Sequence, residues 1–382
     1  MVKLNNVRIS NRSLQELPPG LVAVFVGATS GIGLATLKQF ARNTNGARAY
    51  IIGRSREKVS HIIDALKRIN PMGTFVFIEG QFSLVKEVDR ISEQIKKLEG
   101  HIDILCMSPG YLSLGGRKDT SEGIETDFAL QYYSRQRLIL NMIPLLERSA
   151  SPRVISILAA GFEGPIDIKN LDCRQHYSFA RASRSAATMT DLMFEHIAKR
   201  HPMISFIHSF PGRVGTHILD HMLGTASGLL WYPALIPRYT IVPLYTHLLC
   251  ISAEEAGERT LFLATSAKYP AAKEHELTRK VGGWADLPYG VGAARATVMK
   301  DGVGNGVYRT TWDGESCKES KLLDGYREDS LGRLVYEHTM GVFEKAVKAG
   351  TEMRNVTSKV EEHDSLDDED SLDFDLDPRS VN

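Results

Sequence analysis

Residues Val22 to Gly33 read VAVFVGATSGIG: an unbroken apolar run, a bend with glycines at 27, 31 and 33, and then the amphipathic stretch LATLKQFA. A short, continuous apolar run bounded by a turn is what a strand buried on both faces requires. Each glycine has its own physical use. Gly27 permits a sharp turn, Gly31 lets the backbone approach a ligand with no Cβ between them, and Gly33 lets the next helix lie close to the strand. The helix then opens with free N–H groups and the positive end of its dipole, a ready seat for a diphosphate. Thr29, Ser30 and Ile32 complete the candidate binding loop. The alternative is a tight strand–helix turn that holds nothing. The strand before and the helix after favour the ligand.

The same alternation continues along the chain. Strands are predicted at 22–27, 47–53, 74–80, 102–108, 153–158 and 204–210, with helical stretches around 33–42, 56–69, 84–99, 121–148 and 183–200. This pattern predicts an α/β fold: a doubly wound parallel sheet of the Rossmann kind, with ligands at the carboxyl ends of the strands. The end of the second strand is informative. A site for NAD commonly puts a carboxylate there, whereas this chain has Gly53, Arg54 and Ser55. A guanidinium and a hydroxyl suit a 2′-phosphate, so NADP is the expected cofactor.

Composition removes other classes. The 382 residues are 43% hydrophobic and 24% charged, with Lys+Arg and Asp+Glu both at 46. Such a balance gives no global attraction to nucleic acid. The four cysteines are scattered without metal or disulfide spacing, which predicts free thiols in a reducing compartment and no metal site. The polar start MVKLNNVRISNRSLQELPPG holds no secretory segment, so a cytoplasmic location is expected.

In the order of its motifs the chain resembles the short-chain dehydrogenase/reductase superfamily over roughly residues 20 to 270. The bend fits T-G-x-x-x-G-I-G with Val26 at the Thr position. The N-N-A-G of the fourth strand end stands as Met107-Ser108-Pro109-Gly110, and P-G-x-V-x-T is intact from Pro211 to Thr216. The resemblance implies cofactor contacts from Ser108, Gly110, Pro211, Val214 and Thr216, the last two at the nicotinamide carboxamide. It also implies that Gln81, at the third strand end, accepts the adenine amine in place of the usual Asp.

The catalytic tetrad of the resemblance does not carry over. Its Asn position is Gln131, its Ser position Ala159 (or Leu158 if the register slips by one), its Tyr position Ser183 and its Lys position Ala187, the last two on a register that suits the retinol-dehydrogenase-like branch. Tyr177, Ser183 and Gln131 are therefore the candidate catalytic groups. Tyr177 could reach over the pocket as a loop phenol or serve as a half-buried clamp, and Ser183 could orient a carbonyl or be a plain helix residue. His208, inside an apolar strand, reads as a satisfied core group. The departures, with GVYRTTWDGES (306–316) and LVYEHTMGVFEKA (334–346), resemble a divergent fungal branch associated with secondary metabolism.

Residues 1–270 are expected to form the dinucleotide domain, with an apolar substrate lid over 217–251. Prolines at 233, 237 and 243 and Arg238 argue against a bilayer span there. So apolar a lid suits a large hydrophobic small molecule, a homodimer face or shallow contact with a membrane surface. Residues 271–350 should form a C-terminal extension packed on the domain, and 351–382 a disordered acidic tail. The expected activity is an NADP(H)-dependent ketone reductase or alcohol dehydrogenase acting on a hydrophobic, secondary-metabolite-like substrate. A non-redox isomerase or cyclase on the same fold, or an NADPH-binding pseudoenzyme, is the alternative.

Overall fold

The computed structural model describes residues 1–110, 116–214, 250–274, 285–300 and 302–348. Thr216, nearly all of the expected lid and the acidic tail lie outside the described residues. Six of the seven strands of the main sheet fall where the apolar runs predict: β1 (Val22–Val26), β2 (Arg48–Gly53), β3 (Thr74–Glu79), β4 (Ile104–Met107), β5 (Arg153–Ile157) and β6 (Ser205–Ser209). All pair in parallel, in the order β3-β2-β1-β4-β5-β6, with β9 (Val307–Thr310) added beyond β6. A two-stranded ribbon, β7 (Met299–Lys300) and β8 (Val303–Gly304), stands apart.

Each strand divides its side chains between two cores, because successive residues point to opposite faces. Val22, Val24 and Val26 join one core, while Ala23 and Phe25 join the other. On the first face pack α4 (Val85–Leu98), the short α5 (Thr126–Phe128), α6 (Ser134–Leu146) and α7 (Phe179–Ala198). On the second lie α2 (Gly31–Asn43), α3 (Arg56–Ile69) and α8 (Ala253–Thr265). The α8–α2 crossing is close at Gly257, where a Cβ would come within 2.6 Å of the Ala35 carbonyl carbon.

Two features depart from the expected layout. The polar N-terminus forms a helix, α1 (Leu4–Ser13), held on α8 by Arg8 to Glu258 at 2.9 Å and by Asn11 donating to the Glu258 carbonyl at 2.9 Å. The C-terminal segment does more than pack on the sheet. Its β9 pairs with β6 as the seventh strand, so the sheet is completed from beyond residue 270. After α9 (Lys321–Glu328), a helix over 331–348 covers α6 and α7. There Tyr132 and Tyr133 hydrogen-bond Thr339 and His338 at 2.8 and 2.9 Å. Among the described residues no helix is long and apolar enough to cross a membrane.

Candidate functional site

The strand order reverses between β1 and β4, which opens a crevice at their carboxyl ends. The glycine bend lies there. Gly27 and Gly31 have φ of 78° and 55°, in the left-handed region that favours glycine. A Cβ on Gly27 would sit 2.7 Å from the Pro109 nitrogen, so the bend and the loop after β4 touch through backbone. A Cβ on Gly33 would strike Ser108 Oγ and come within 2.5 Å of the Gly27 carbonyl oxygen. Ser108 closes this contact from its own side, donating to the Val26 and Gly27 carbonyls at 3.3 Å.

Ser30 precedes α2 in extended conformation, and its side chain makes no cap bond to the helix. The first amides of α2, at Gly31, Ile32 and Gly33, therefore face the crevice without the usual side-chain acceptor. That geometry fits a diphosphate oxygen. Thr29 is half-buried, with its methyl group 3.0 Å from where a Gly53 Cβ would be. Arg54 is exposed at the end of β2, and Ser55 caps α3 by accepting from the Lys58 amide at 3.4 Å. Gln81 is exposed and donates to Ser83 Oγ at 3.2 Å, which leaves its carbonyl oxygen as an acceptor. Gly110 is exposed after Pro109.

After β6, Pro211 and Val214 are half-buried, and Val214 bridges Ile251. Gly212 has φ of 77°, and a Cβ there would meet Trp312 at 2.7 Å, so a residue of the C-terminal segment braces this turn. At the same end of the sheet Phe162 packs edge-on to Phe210 with centroids 4.7 Å apart, and Phe162 is 55% exposed.

Of the three candidate catalytic groups, two are brought together. Ser183 Oγ donates to Gln131 Oε1 at 2.9 Å, joining α7 to the π-helical turn Ala129–Tyr133. π-turns are frequent at functional sites because the extra residue re-aims a side chain. Tyr177 is held elsewhere, half-buried against the first core. Its phenol is pushed well up, first by burial and then by the Glu125 and Asp127 charges. Ala187 is buried and Ala159 half-buried at the two remaining tetrad positions.

Two buried groups went unrecognised in the sequence. The first is a charge cluster below Ala159. His208 Nδ1 meets Asp191 Oδ1 at 2.7 Å while its Nε2 accepts the Ala159 amide at 3.2 Å, so the proton sits on Nδ1. Arg309 of β9 grips both oxygens of Glu163 at 2.9 and 2.6 Å and lies 3.3 Å from Asp191 Oδ2. Burial raises the Asp191 carboxyl to about 7. Burial would raise Glu163 too, but bonds from Asp191 and Arg309 outweigh it and hold that carboxyl at about 2. The ligand atoms of Glu163, Asp191 and His208 lie within 4.8 Å of one another, as a metal site would need. Arg309 already occupies Glu163, and both His208 nitrogens are committed, so the cluster is a salt-bridged brace rather than a cation site.

The second is Arg135, fully buried in α6. It donates from Nε to the Leu130 carbonyl at 2.9 Å and from Nη1 to the Ile157 carbonyl at 2.8 Å and Ser156 Oγ at 2.7 Å. Further bonds reach the Met107 carbonyl at 3.3 Å and the Pro109 carbonyl at 2.5 Å. One side chain thus ties the turn carrying Gln131 to the ends of β4 and β5. Its only sequence signal is an arginine four residues after Gln131 on an otherwise core-facing helix.

With this geometry in place, the comparisons are specific. Residues 21–170 match the model of the short chain dehydrogenase family. An oxidoreductase of Emericella nidulans is 39% identical over 91% of this chain and 99% of its own length. The chain belongs to the short-chain dehydrogenase family of oxidoreductases. An NmrA-like family domain-containing oxidoreductase of an Aspergillus species is 36% identical over 92% of this chain and 97% of its own. A short-chain dehydrogenase/reductase of Stachybotrys chartarum is 27% identical over 90% and 98%.

Proposed function

We propose that this chain is an NADP(H)-dependent reductase or dehydrogenase for a hydrophobic carbonyl or alcohol. The observation that carries the reading is the uncapped start of α2 against the Gly27–Ser108 contact, beside Arg54 at the end of β2. Gly27, Thr29, Ser30, Gly31, Ile32 and Gly33 would hold the diphosphate, with Arg54 and Ser55 at the 2′-phosphate. Gln81 would take the adenine, and Ser108, Gly110, Pro211, Val214 and Thr216 the nicotinamide half. The bound nucleotide supplies hydride chemistry.

The chain's own residues supply orientation. Ser183 donates its hydroxyl hydrogen to Gln131, so the Gln131 amide nitrogen, with no partner among the described residues, can donate to a substrate carbonyl oxygen, while Ser183 Oγ can accept from a substrate alcohol hydroxyl. Neither is a strong acid. With Ala159 and Ala187 at the other tetrad positions, the oxygen's proton comes from solvent rather than a tyrosine. The half-buried Leu158 and Phe210 and the exposed Phe162 give the rim an apolar character suited to a substrate of the same kind.

The same two alanines favour one other reading, in which the nucleotide is bound but not turned over. One experiment separates them: the protein is mixed with NADPH and a panel of apolar ketones while nicotinamide absorbance is followed. Oxidation that depends on ketone supports the reductase. Saturable NADPH binding without oxidation across substrates supports the non-redox reading.

A further inference from the structure

Arg135 is a buried charge of unusual setting. Buried guanidinium groups ordinarily sit against a carboxylate, because an unpaired charge in the interior is costly. Every acceptor around Arg135 is neutral: carbonyls of Leu130, Met107, Ile157 and Pro109, and the Ser156 hydroxyl. Among the described residues no carboxylate forms an ion pair with it. Its ionisable neighbour is Cys106, whose thiol burial pushes up to about 12, so that it stays neutral. Carbonyl dipoles solvate the guanidinium without cancelling its net charge.

The position of that charge matters. The diphosphate seat is at β1–α2 and the adenosine side runs toward β2 and β3, so the other half of a dinucleotide must extend over the ends of β4 and β5. Arg135 bonds the carbonyls of Met107, Pro109 and Ile157, at and just beyond the ends of those strands. We infer that Arg135 is a positioning residue whose unneutralised charge makes the site favour the neutral, reduced nicotinamide over the cationic, oxidised one, and so biases the enzyme toward carbonyl reduction. The inference rests on the proposed NADP(H) site and deepens it by assigning a direction.

The physical logic is a single Coulomb interaction. The oxidised ring carries a positive charge that the reduced ring lacks, and the rest of the nucleotide is the same in both. A fixed cation beneath the site repels only the oxidised ring, while it attracts negative charge that develops on a carbonyl oxygen during reduction. At an effective dielectric of ~20 and a separation of ~10 Å, one such pair changes a binding ratio by about tenfold. Removing the cation should leave NADPH affinity nearly unchanged and tighten NADP+.

The test uses the full chain and two nucleotides. Kd values for NADPH and NADP+ are measured by calorimetry on the wild type, Arg135→Lys and Arg135→Met, with circular dichroism to establish folding. The wild type is expected to hold NADPH about tenfold more tightly than NADP+. Arg135→Lys, which keeps the charge but not the fork of bonds, should retain the preference. Arg135→Met should lose it through tighter NADP+ binding. Equal affinities in the wild type, or a folded Arg135→Met with an unchanged ratio, would overturn the inference. If Arg135→Met does not fold, the wild-type ratio together with retention in Arg135→Lys decides, and a preference lost in Arg135→Lys also overturns it. No saturable binding of either nucleotide to the wild type is a different failure, that of the cofactor site itself.

Discussion

Replacing Gly33 by alanine sets two effects against each other. Alanine is better than glycine inside a helix by about 1 kcal/mol, so propensity alone predicts a more stable protein. The new methyl has no room. It would collide with Ser108 Oγ, come within 2.5 Å of the Gly27 carbonyl oxygen and stand 3.0 Å from Ala28 Cα. The serine could rotate away, but the other two atoms are backbone of the bend. The first turn of α2 must therefore lift off β1. Overpacking of this kind typically costs about 1–3 kcal/mol, so after the propensity gain the net loss should be about 0–2 kcal/mol, a fall of at most a few degrees in Tm for a domain of this size. The larger consequence is for binding, because the lifted turn carries the amides aimed at the diphosphate. NADPH affinity should fall at least about tenfold, read by fluorescence titration beside a thermal melt. Gly100→Ala, where a Cβ meets nothing within 4 Å, serves as the control and should change neither. A Gly33→Ala protein that binds NADPH as tightly as wild type would refute the packing argument.

Other outcomes follow from the same geometry. Arg54→Asp should lower the NADPH-to-NADH affinity ratio by at least tenfold, since a charge-assisted bond to phosphate of about 1.5–3 kcal/mol is replaced by repulsion. Ser183→Ala and Gln131→Ala should each reduce ketone-dependent turnover by about one to two orders of magnitude with NADPH Kd little changed, whereas Tyr177→Phe, at a phenol that takes no part in the Ser183–Gln131 pair, should leave turnover near wild type. The buried Asp191 carboxyl holds its proton up to about pH 7, far above its unfolded range. Its contribution is therefore complete at acid pH below about 4 and is lost as pH rises through 7. Stability of the wild type should fall between pH 5 and 8 by on the order of 2–3 kcal/mol relative to Asp191→Asn. A parallel pair of melting profiles would count against a protonated Asp191 in this brace.

Much of this architecture can be read in the residues themselves. Local signals sufficed for β1 to β6, because each is a run of apolar side chains ended by glycine or a polar turn. Gln131 and Ser183 came forward as candidates only through the register of the family resemblance, and the fold joins them by one hydrogen bond. What escaped depends on distance along the chain. Arg309 and Glu163 are ion-paired across 146 positions, and nothing in either neighbourhood announces the other. β9 has only four residues in a glycine-rich stretch, too short for periodicity to place it in the main sheet rather than a separate hairpin. Arg135 was hidden for a different reason. A single arginine on a helix is read as a solvated charge by default, and only the convergence of carbonyls from three segments shows it buried.

The measurement closest to the central claim is an equilibrium titration of the wild-type chain with NADPH and, separately, NADH. A saturable isotherm for NADPH, weakened by Gly33→Ala and tighter than that for NADH, is what the bend and Arg54 require. A flat response to both nucleotides from a folded protein would contradict the account at its root.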